Sequence, residues 1–265
     1  MKIFISADIE GVNNICSWDE TEAGHFRYNE FKRQMTEEVK QACIAAHEAG
    51  ATEIFVKDAH DSAMNISIAD LPDYVKLHRG WEGSICAMMA GLDESFDACL
   101  YIGYHSPSRS EGNPLSHTMN TRIQHVKING VIASEFDINS LYATYLGVPS
   151  IFLSGDEMLT KLIKRTNPNI ATVATKEGRF GATISRHPNI TNKEIYDVVY
   201  NTLTTDLTKM HTELPEKFDI EIHYRSPKTA LNNSFYPGCQ LVGSDKIHFS
   251  STNYLDVLRM FKFTL

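Results

Sequence analysis

Two rhythms of apolar and polar positions alternate along the first two thirds of the chain. Short continuous apolar runs occupy Ile3–Ile5, Thr52–Lys57, Phe96–Tyr104, Pro149–Leu153 and Ile170–Thr175. Runs of this length, rich in β-branched residues, predict strands buried on both faces. Between them the spacing changes to three and four. In Tyr28–Ala49 the residues Phe31, Met35, Val39, Ala42, Cys43 and Ala46 share one helical face, with Gly50 as the stop. Asp137–Leu146 predicts a helix with Ile138, Leu141, Tyr142 and Tyr145 on one side, and Gly155-Asp156 opens another through Lys164. Lesser signals are a helical turn at Ile66–Leu71, a strand at Tyr74–His78 and a short helix at Ser84–Gly91. Gln124–Ile128 and Val131–Ala133 predict a hairpin around Asn129-Gly130, a strong turn pair. Such strand–helix alternation predicts an α/β fold: a mainly parallel open sheet with helices on both faces.

The pattern changes around Arg186–Asn192. Asn192–Met210 predicts one long helix, with Ile195, Val198, Val199 and Leu203 in register. Phe218–Tyr224 alternates like a strand with one wet face. Ala230–Ser234, Gln240–Gly243, Lys246–Ser250 and a final helix Tyr254–Phe263 complete a smaller α+β unit. The expected division is an α/β domain over 1–188, which carries the strand ends, and an α+β domain over 189–265.

Composition narrows the function classes. Hydrophobic residues make up 42% and charged residues 22%, as in ordinary globular proteins. The net charge of −8, without a basic run, argues against nucleic acid as a partner. No apolar stretch reaches the roughly 18–20 residues that span a bilayer, and MKIFISAD meets an acid too soon for a secretory signal. Five scattered cysteines without a CxxC pair predict a reducing, cytoplasmic setting and no cysteine metal site.

Candidate chemistry gathers where the strands end. Ile3–Ala7 leads into Asp8 and Glu10, the second strand into Asp58 and His60, and the third into His105. In an open α/β sheet, ligands bind at the carboxyl ends of the strands. If these strands are neighbours, Asp8, Glu10, His60 and His105 converge, and Glu135, past a fourth apolar segment, is a fifth candidate. Strand alternation points Asp8 and Glu10 the same way, and a cation between them would relieve their repulsion. Mixed histidine and carboxylate ligands suit zinc, manganese or iron better than magnesium or calcium. Five ligands exceed one tetrahedral zinc, so a pair of metals bridged by Asp8 is the expectation. A split with Glu10 and Glu135 on one metal and His60 and His105 on the other is favoured. Asp58 is a candidate to fix a histidine tautomer from behind. For the other histidines an ordinary core or surface role is expected. The loop Ser106–Ser116 delivers His117.

The motifs SADIEG (Ser6–Gly11), KDAHDS (Lys57–Ser62), GYHS (Gly103–Ser106), LSHTMN (Leu115–Asn120) and GVIASEFDINSLYA (Gly130–Ala143) together resemble the D-aminopeptidase family of zinc peptidases, peptidase family M55. The resemblance runs from Met1 to about Pro188 and thins beyond. It implies two zinc ions per subunit on Asp8, Glu10, His60, His105 and Glu135, with His117 as the catalytic residue. It also implies a two-domain subunit in a ring-shaped homo-oligomer, a decamer. Asn13-Asn14 and the Arg109–Pro114 loop depart from the family pattern, both near the expected substrate position.

The expected function is therefore a cytoplasmic metallo-aminopeptidase acting on the N-terminal amide bond of short peptides or amino-acid amides, including D-amino-acid substrates. One alternative is another metal-dependent hydrolase on the same scaffold, an amidase or phosphoesterase, although no glycine-rich phosphate loop is present. The other is a non-enzymatic metal- or peptide-binding protein.

Overall fold

The computed structural model describes residues 1–265. In chain order the elements are β1 (Lys2–Ala7), α1 (Tyr28–Glu48), β2 (Glu53–Asp58), β3 (Val75–His78), β4 (Ala98–Tyr104), β5 (Ile123–Ile128), β6 (Val131–Ile132), α2 (Glu135–Tyr145), β7 (Ser150–Asp156), α3 (Glu157–Thr166), β8 (Ala171–Arg179), β9 (Ala182–Ser185), α4 (Pro188–Leu203), β10 (Phe218–Tyr224), α5 (Pro227–Asn233), β11 (Gln240–Leu241), β12 (Lys246–Ser251) and α6 (Tyr254–Thr264). Single 3-10 turns at Ile68–Asp70 and Ala87–Met89 occupy the places of the two lesser helical signals.

Seven strands form the larger sheet in the order β3-β2-β1-β4-β7-β8-β9, parallel except for β9. The chain winds one way from β1 through β2 to β3, then crosses back to place β4 on the other side of β1. The β1/β4 junction is thus the point where the winding reverses, the place at which open α/β sheets open a crevice. β1 and β4 are buried along nearly their whole length, which is why they read as continuous apolar runs. Odd positions of β1 (Ile3, Ile5, Ala7) join one core with Phe31, Met35 and Val39 of α1 and Ile195 and Val199 of α4. Phe4 faces the second core, shared with α2, α6 and the inner face of the smaller sheet.

That smaller sheet is antiparallel, in the order β11-β12-β10-β5-β6. Its alternating β10, buried at every second residue, has the wet face expected of FDIEIHY. The two sheets do not divide the chain at 188/189. The β5–β6 hairpin, which lies between β4 and α2 in sequence, pairs through β5 with β10, and α4 packs on α1 beside the larger sheet. Two elements also differ from expectation. The long helix begins at Pro188 and ends at Leu203, followed by a separate 3-10 turn at Leu207–Met210. β8 runs on past Thr175 into a hairpin with β9; its polar, half-exposed end carries too little apolar signal to read as strand.

Two glycines let the ends of β1 and β4 meet. Gly11 donates its N–H to the Gly103 carbonyl at 2.8 Å. A Cβ on Gly11 would lie 1.8 Å from the Tyr104 carbonyl oxygen, and one on Gly103 (φ +70°) would lie 2.3 Å from that of Asp8. Only residues without a side chain permit this approach, and it draws Asp8 and Glu10 up to His105.

Candidate metal and active site

Four elements hold the five candidate ligands at the crevice. Asp8 and Glu10 follow β1, His60 follows β2, and His105 follows β4. Because β1 ends at Ala7, the shared direction of Asp8 and Glu10 is set by the Ile9–Val12 turn, closed by the Val12 N–H on the Ile9 carbonyl, and not by strand alternation. Glu135 is the first residue of α2, behind the Ser134 N-cap whose hydroxyl accepts from Asp137 N. Its Oε1 accepts the Met119 N–H at 2.7 Å.

All five groups are buried, each 6% exposed or less. His60 Nδ1 lies 2.9 Å from Glu10 Oε2 and 3.4 Å from Asp8 Oδ1. His105 Nε2 lies 3.4 Å from Asp8 Oδ2 and 3.5 Å from Glu135 Oε1. The donors therefore group as Asp8–Glu10–His60 and Asp8–His105–Glu135, with Asp8 in both. This differs from the split expected from the sequence: Glu10 accompanies His60 and Glu135 accompanies His105, because β2 flanks one side of β1 and β4 the other.

The histidines are oriented for ligation. His60 Nε2 donates to the Thr21 carbonyl at 3.0 Å, and His105 Nδ1 to the Ser106 carbonyl at 3.0 Å. A carbonyl only accepts, so each ring carries a proton there and turns its other nitrogen toward the carboxylates, a lone pair in the neutral ring. Asp8 Oδ2, Glu10 Oε2 and His105 Nε2 are buried without any hydrogen-bond partner. Buried acceptors facing one another are costly unless a cation or protons intervene. When protons alone balance the cluster, burial and the Glu10 charge push Asp8 well above the usual carboxylate range. His105, despite its burial, is driven up to about 10 by Glu135 and Asp8. The donor set, its burial and its unpartnered atoms fit divalent zinc.

His117 stands beside this cluster: it is in neither Asp8-centred group, but its donor atom lies close to those of Glu10 and His105 in a third set. Its ring stacks on that of His105 with centroids 4.4 Å apart, and its Nε2 lies 3.5 Å from Glu135 Oε1. Nδ1 donates to the Leu115 carbonyl at 2.8 Å, which leaves Nε2 as the acceptor in the neutral ring. The side chain is 13% exposed, against 0% for His105. It borders a cavity of about 430 Å³ that also reaches Asp8, Glu10, His60 and Glu135. Around this and an adjoining cavity, Asp61, Ala87, Arg109 and Met119 are held at positive φ. Strained backbone of this kind concentrates at functional sites.

Other expectations are revised. Asp58 does not touch the His60 ring; it accepts from the backbone of Asn65 and Ile66, and Asn65 in turn donates to the His60 carbonyl. Asn13 lies away from the cavity, fully buried, tying the β1 loop to Thr175, Arg186 and Thr191. Three supporting residues were not legible as such. Asp156 accepts from Ser106 N and Asn113 Nδ2 and so clamps the loop after His105. Lys176, buried beneath the site, donates to the carbonyls of Glu10 and Ile15 at 2.5 and 2.7 Å; burial lowers it to about 8. Trp18 packs edge-on against His117 at 5.4 Å. The acid in Gly155-Asp156 was a visible helix opener, but nothing in the spacing marked its contacts across the sheet.

Comparison with known proteins agrees with this architecture. A D-aminopeptidase of Bacillus subtilis (strain 168) is 31% identical over 186 residues, 70% of this chain and 65% of that protein, so the match spans less than two thirds of the relative's length. A solved structure, the Zn-dependent D-aminopeptidase DppA from Bacillus subtilis, described as a self-compartmentalizing protease, superposes with a TM-score of 0.92 at 24% identity. The superposition covers 100% of this chain and 98% of the other. The model of the D-aminopeptidase family, peptidase family M55, matches residues 1–263, extending the resemblance well past Pro188. By that match the chain belongs to the D-aminopeptidase family of peptidases.

Proposed function

We propose that this protein is a zinc-dependent aminopeptidase with a dinuclear site, releasing the N-terminal residue of short peptides or amino-acid amides, D-amino-acid substrates included. The observation that carries the reading is the pair of buried donor groups sharing Asp8, each histidine held through one ring nitrogen on a carbonyl and turning the other toward them. Asp8 with Glu10 and His60 would hold one ion, and Asp8 with His105 and Glu135 the other. Bound there, zinc supplies Lewis acidity to the scissile carbonyl and to a water. The remaining work belongs to side chains. His117, with Nδ1–H fixed on Leu115, offers Nε2 to take a proton from the attacking group and to return it to the departing amine. Trp18 and the His105 ring restrict how far the His117 ring turns. The smaller sheet contributes Ile123 and Gln124 of β5 to the adjoining cavity wall, which supports a role for that unit in shaping the substrate site.

The quaternary reading follows the relative described as self-compartmentalizing: a ring-shaped homodecamer that admits short peptides. Large exposed apolar side chains, among them Phe26, Phe180, Phe235 and Phe263, support association. Five free cysteines suit a reducing cytoplasmic compartment, and no helix is long and apolar enough to cross a membrane.

The test is metal analysis of the purified protein and of Asp8→Asn, with a panel of D- and L-aminoacyl amides. Two zinc ions per chain and amide hydrolysis are expected, both largely lost in Asp8→Asn because a neutral amide is a poor bridge between cations. Hydrolysis of phosphate esters but not amides would favour the phosphoesterase alternative, and bound metal without any turnover would favour the binding-protein alternative.

A further inference from the structure

The cavity at the metal cluster opens into a second cavity of about 790 Å³, the two sharing Trp18, Glu22, His117 and Thr121. Their charges are opposite in character. The first is lined by the carboxylates of Asp8, Glu10, Asp61 and Glu135. The second is lined by Arg109 and Arg225 and by one acid, Glu22, which it shares with the first and which lies 3.5 Å from His25.

Neither Arg109 nor Arg225 is paired with a carboxylate, as Arg27, Arg179, Arg186 and Arg259 are, and both are exposed; Arg33, Arg79, Arg122 and Arg165 are likewise unpaired, so what sets Arg109 and Arg225 apart is the cavity they line. Nor does either arise from a loose surface strand. Arg109 sits in the Ser106–Ser116 loop at φ 65°, a left-handed conformation unfavourable for an arginine. The loop is tied down on either side of it: Ser106 to Asp156, Ser108 N to Thr118 Oγ1, Asn113 to Glu10 and Asp156, and the Glu111 carbonyl to Phe180 N of the β8–β9 hairpin. Arg225 comes from the other layer, directly after β10, with its N–H on the Arg122 carbonyl at 3.2 Å. Two arginines, each just past a strand of a different sheet, thus line one cavity, and the cavity that adjoins it reaches the cluster.

We infer that Arg109 and Arg225 receive the terminal carboxylate of a short peptide whose amino end lies at the carboxylate–histidine cluster. The inference rests on the aminopeptidase reading above and adds to it a substrate class: free peptides, with an unblocked C-terminus. The charge layout matches a zwitterion, its ammonium toward acids and its carboxylate toward guanidiniums. Arginine suits the second task because its planar fork pairs with both carboxylate oxygens. The binding is remote from the scissile bond, so its effect falls on KM more than on kcat.

The experiment compares dialanine with dialaninamide, in D,D and L,L forms, on the zinc-loaded protein. The scissile bond is the same and only the C-terminal charge differs. The wild type is expected to favour the acid by about 10-fold or more in kcat/KM, the scale of one or two charge-assisted hydrogen bonds. In Arg109→Gln/Arg225→Gln this ratio should fall at least 10-fold, with the loss in KM, and Arg109→Lys/Arg225→Lys should restore part of it. A wild type indifferent to the C-terminus, or a Gln double variant that keeps the preference, overturns the assignment and leaves the aminopeptidase reading intact. If neither compound is hydrolysed, the catalytic reading fails, and calorimetric binding of the same two compounds decides the arginines separately. Tighter binding of the acid that disappears in the Gln double variant supports them, and equal binding overturns them.

Discussion

At the scale of residues, the proposed site divides holding a metal from moving a proton between different histidines. His60 and His105 are buried with their free nitrogens against carboxylates, while His117 is more exposed and lies outside the two groups that share Asp8. His117→Ala is therefore expected to keep its metal and its fold while losing on the order of 100-fold or more in kcat. His60→Ala should lose metal and activity together. Metal content measured alongside turnover checks both, and metal loss in His117→Ala would make it a ligand. A second residue-level expectation concerns Glu38 of α1. It is buried, its Oε1 accepts the Asn13 N–H at 2.9 Å, and burial raises it to about 7. An acid raised on folding holds its proton in the native state while the unfolded chain has released it. Stability therefore falls as pH rises from about 4.5 to 7 and does not recover above. Glu38→Gln keeps an acceptor for Asn13 without the charge. It should flatten that slope and gain up to ~3 kcal/mol at pH 8, as read by denaturant unfolding at a series of pH values; an unchanged slope would remove Glu38 as its source.

At the scale of elements, the decisive feature is the junction of β1 with β4. The turn after β1 packs against the end of β4 with no room for a methyl group at Gly11. Gly11→Ala must push the two backbones apart, since the neighbours are main-chain carbonyls and not movable side chains. A cost of about 3 kcal/mol is expected, and metal content should fall because Asp8 and Glu10 retreat from His105. Thermal unfolding with metal analysis checks this. A variant of normal stability and full metal content would show that the close approach is not what assembles the site. The loop after β4 is held in the same manner from a distance: Asp156, at the end of β7, bonds to Ser106 and Asn113 across the sheet. Two adjacent parallel strands thus support the same loop, a reason to expect it to keep its shape on binding.

At the scale of the whole molecule, the two sheets share a core on one face of the larger one, and the cavity beside the cluster takes its walls from both. The smaller sheet therefore borders the cavity next to the cluster. Assembly is the remaining prediction at this scale. Light scattering at micromolar concentration should find a mass about ten times that of the 29.8 kDa chain. A monomer would remove the ring, and with it any exclusion of long substrates by compartment.

The amino-acid sequence by itself determined the main strands, the helices between them and the residues at their ends. These are local properties: a buried parallel strand must be continuously apolar, and an ionisable residue at its end interrupts that run abruptly, as Asp8, His60 and His105 do. Their convergence was legible because parallel strands carry their ends to the same edge. What only the tertiary structure decided depends on contacts between distant segments. The ligand grouping follows from β2 and β4 flanking β1 on opposite sides, which no spacing encodes. The β5–β6 hairpin joined a sheet whose other strands lie some ninety residues on, because its partner β10 offers a matching apolar face. Asp58, placed by spacing behind His60, turned instead to the backbone of its own loop, where it accepts from the N–H groups of Asn65 and Ile66. Lys176, Asp156 and Arg225 gained their places only when strands far apart in sequence were laid side by side, since a side chain's partner across a sheet is set by strand order and not by its neighbours along the chain.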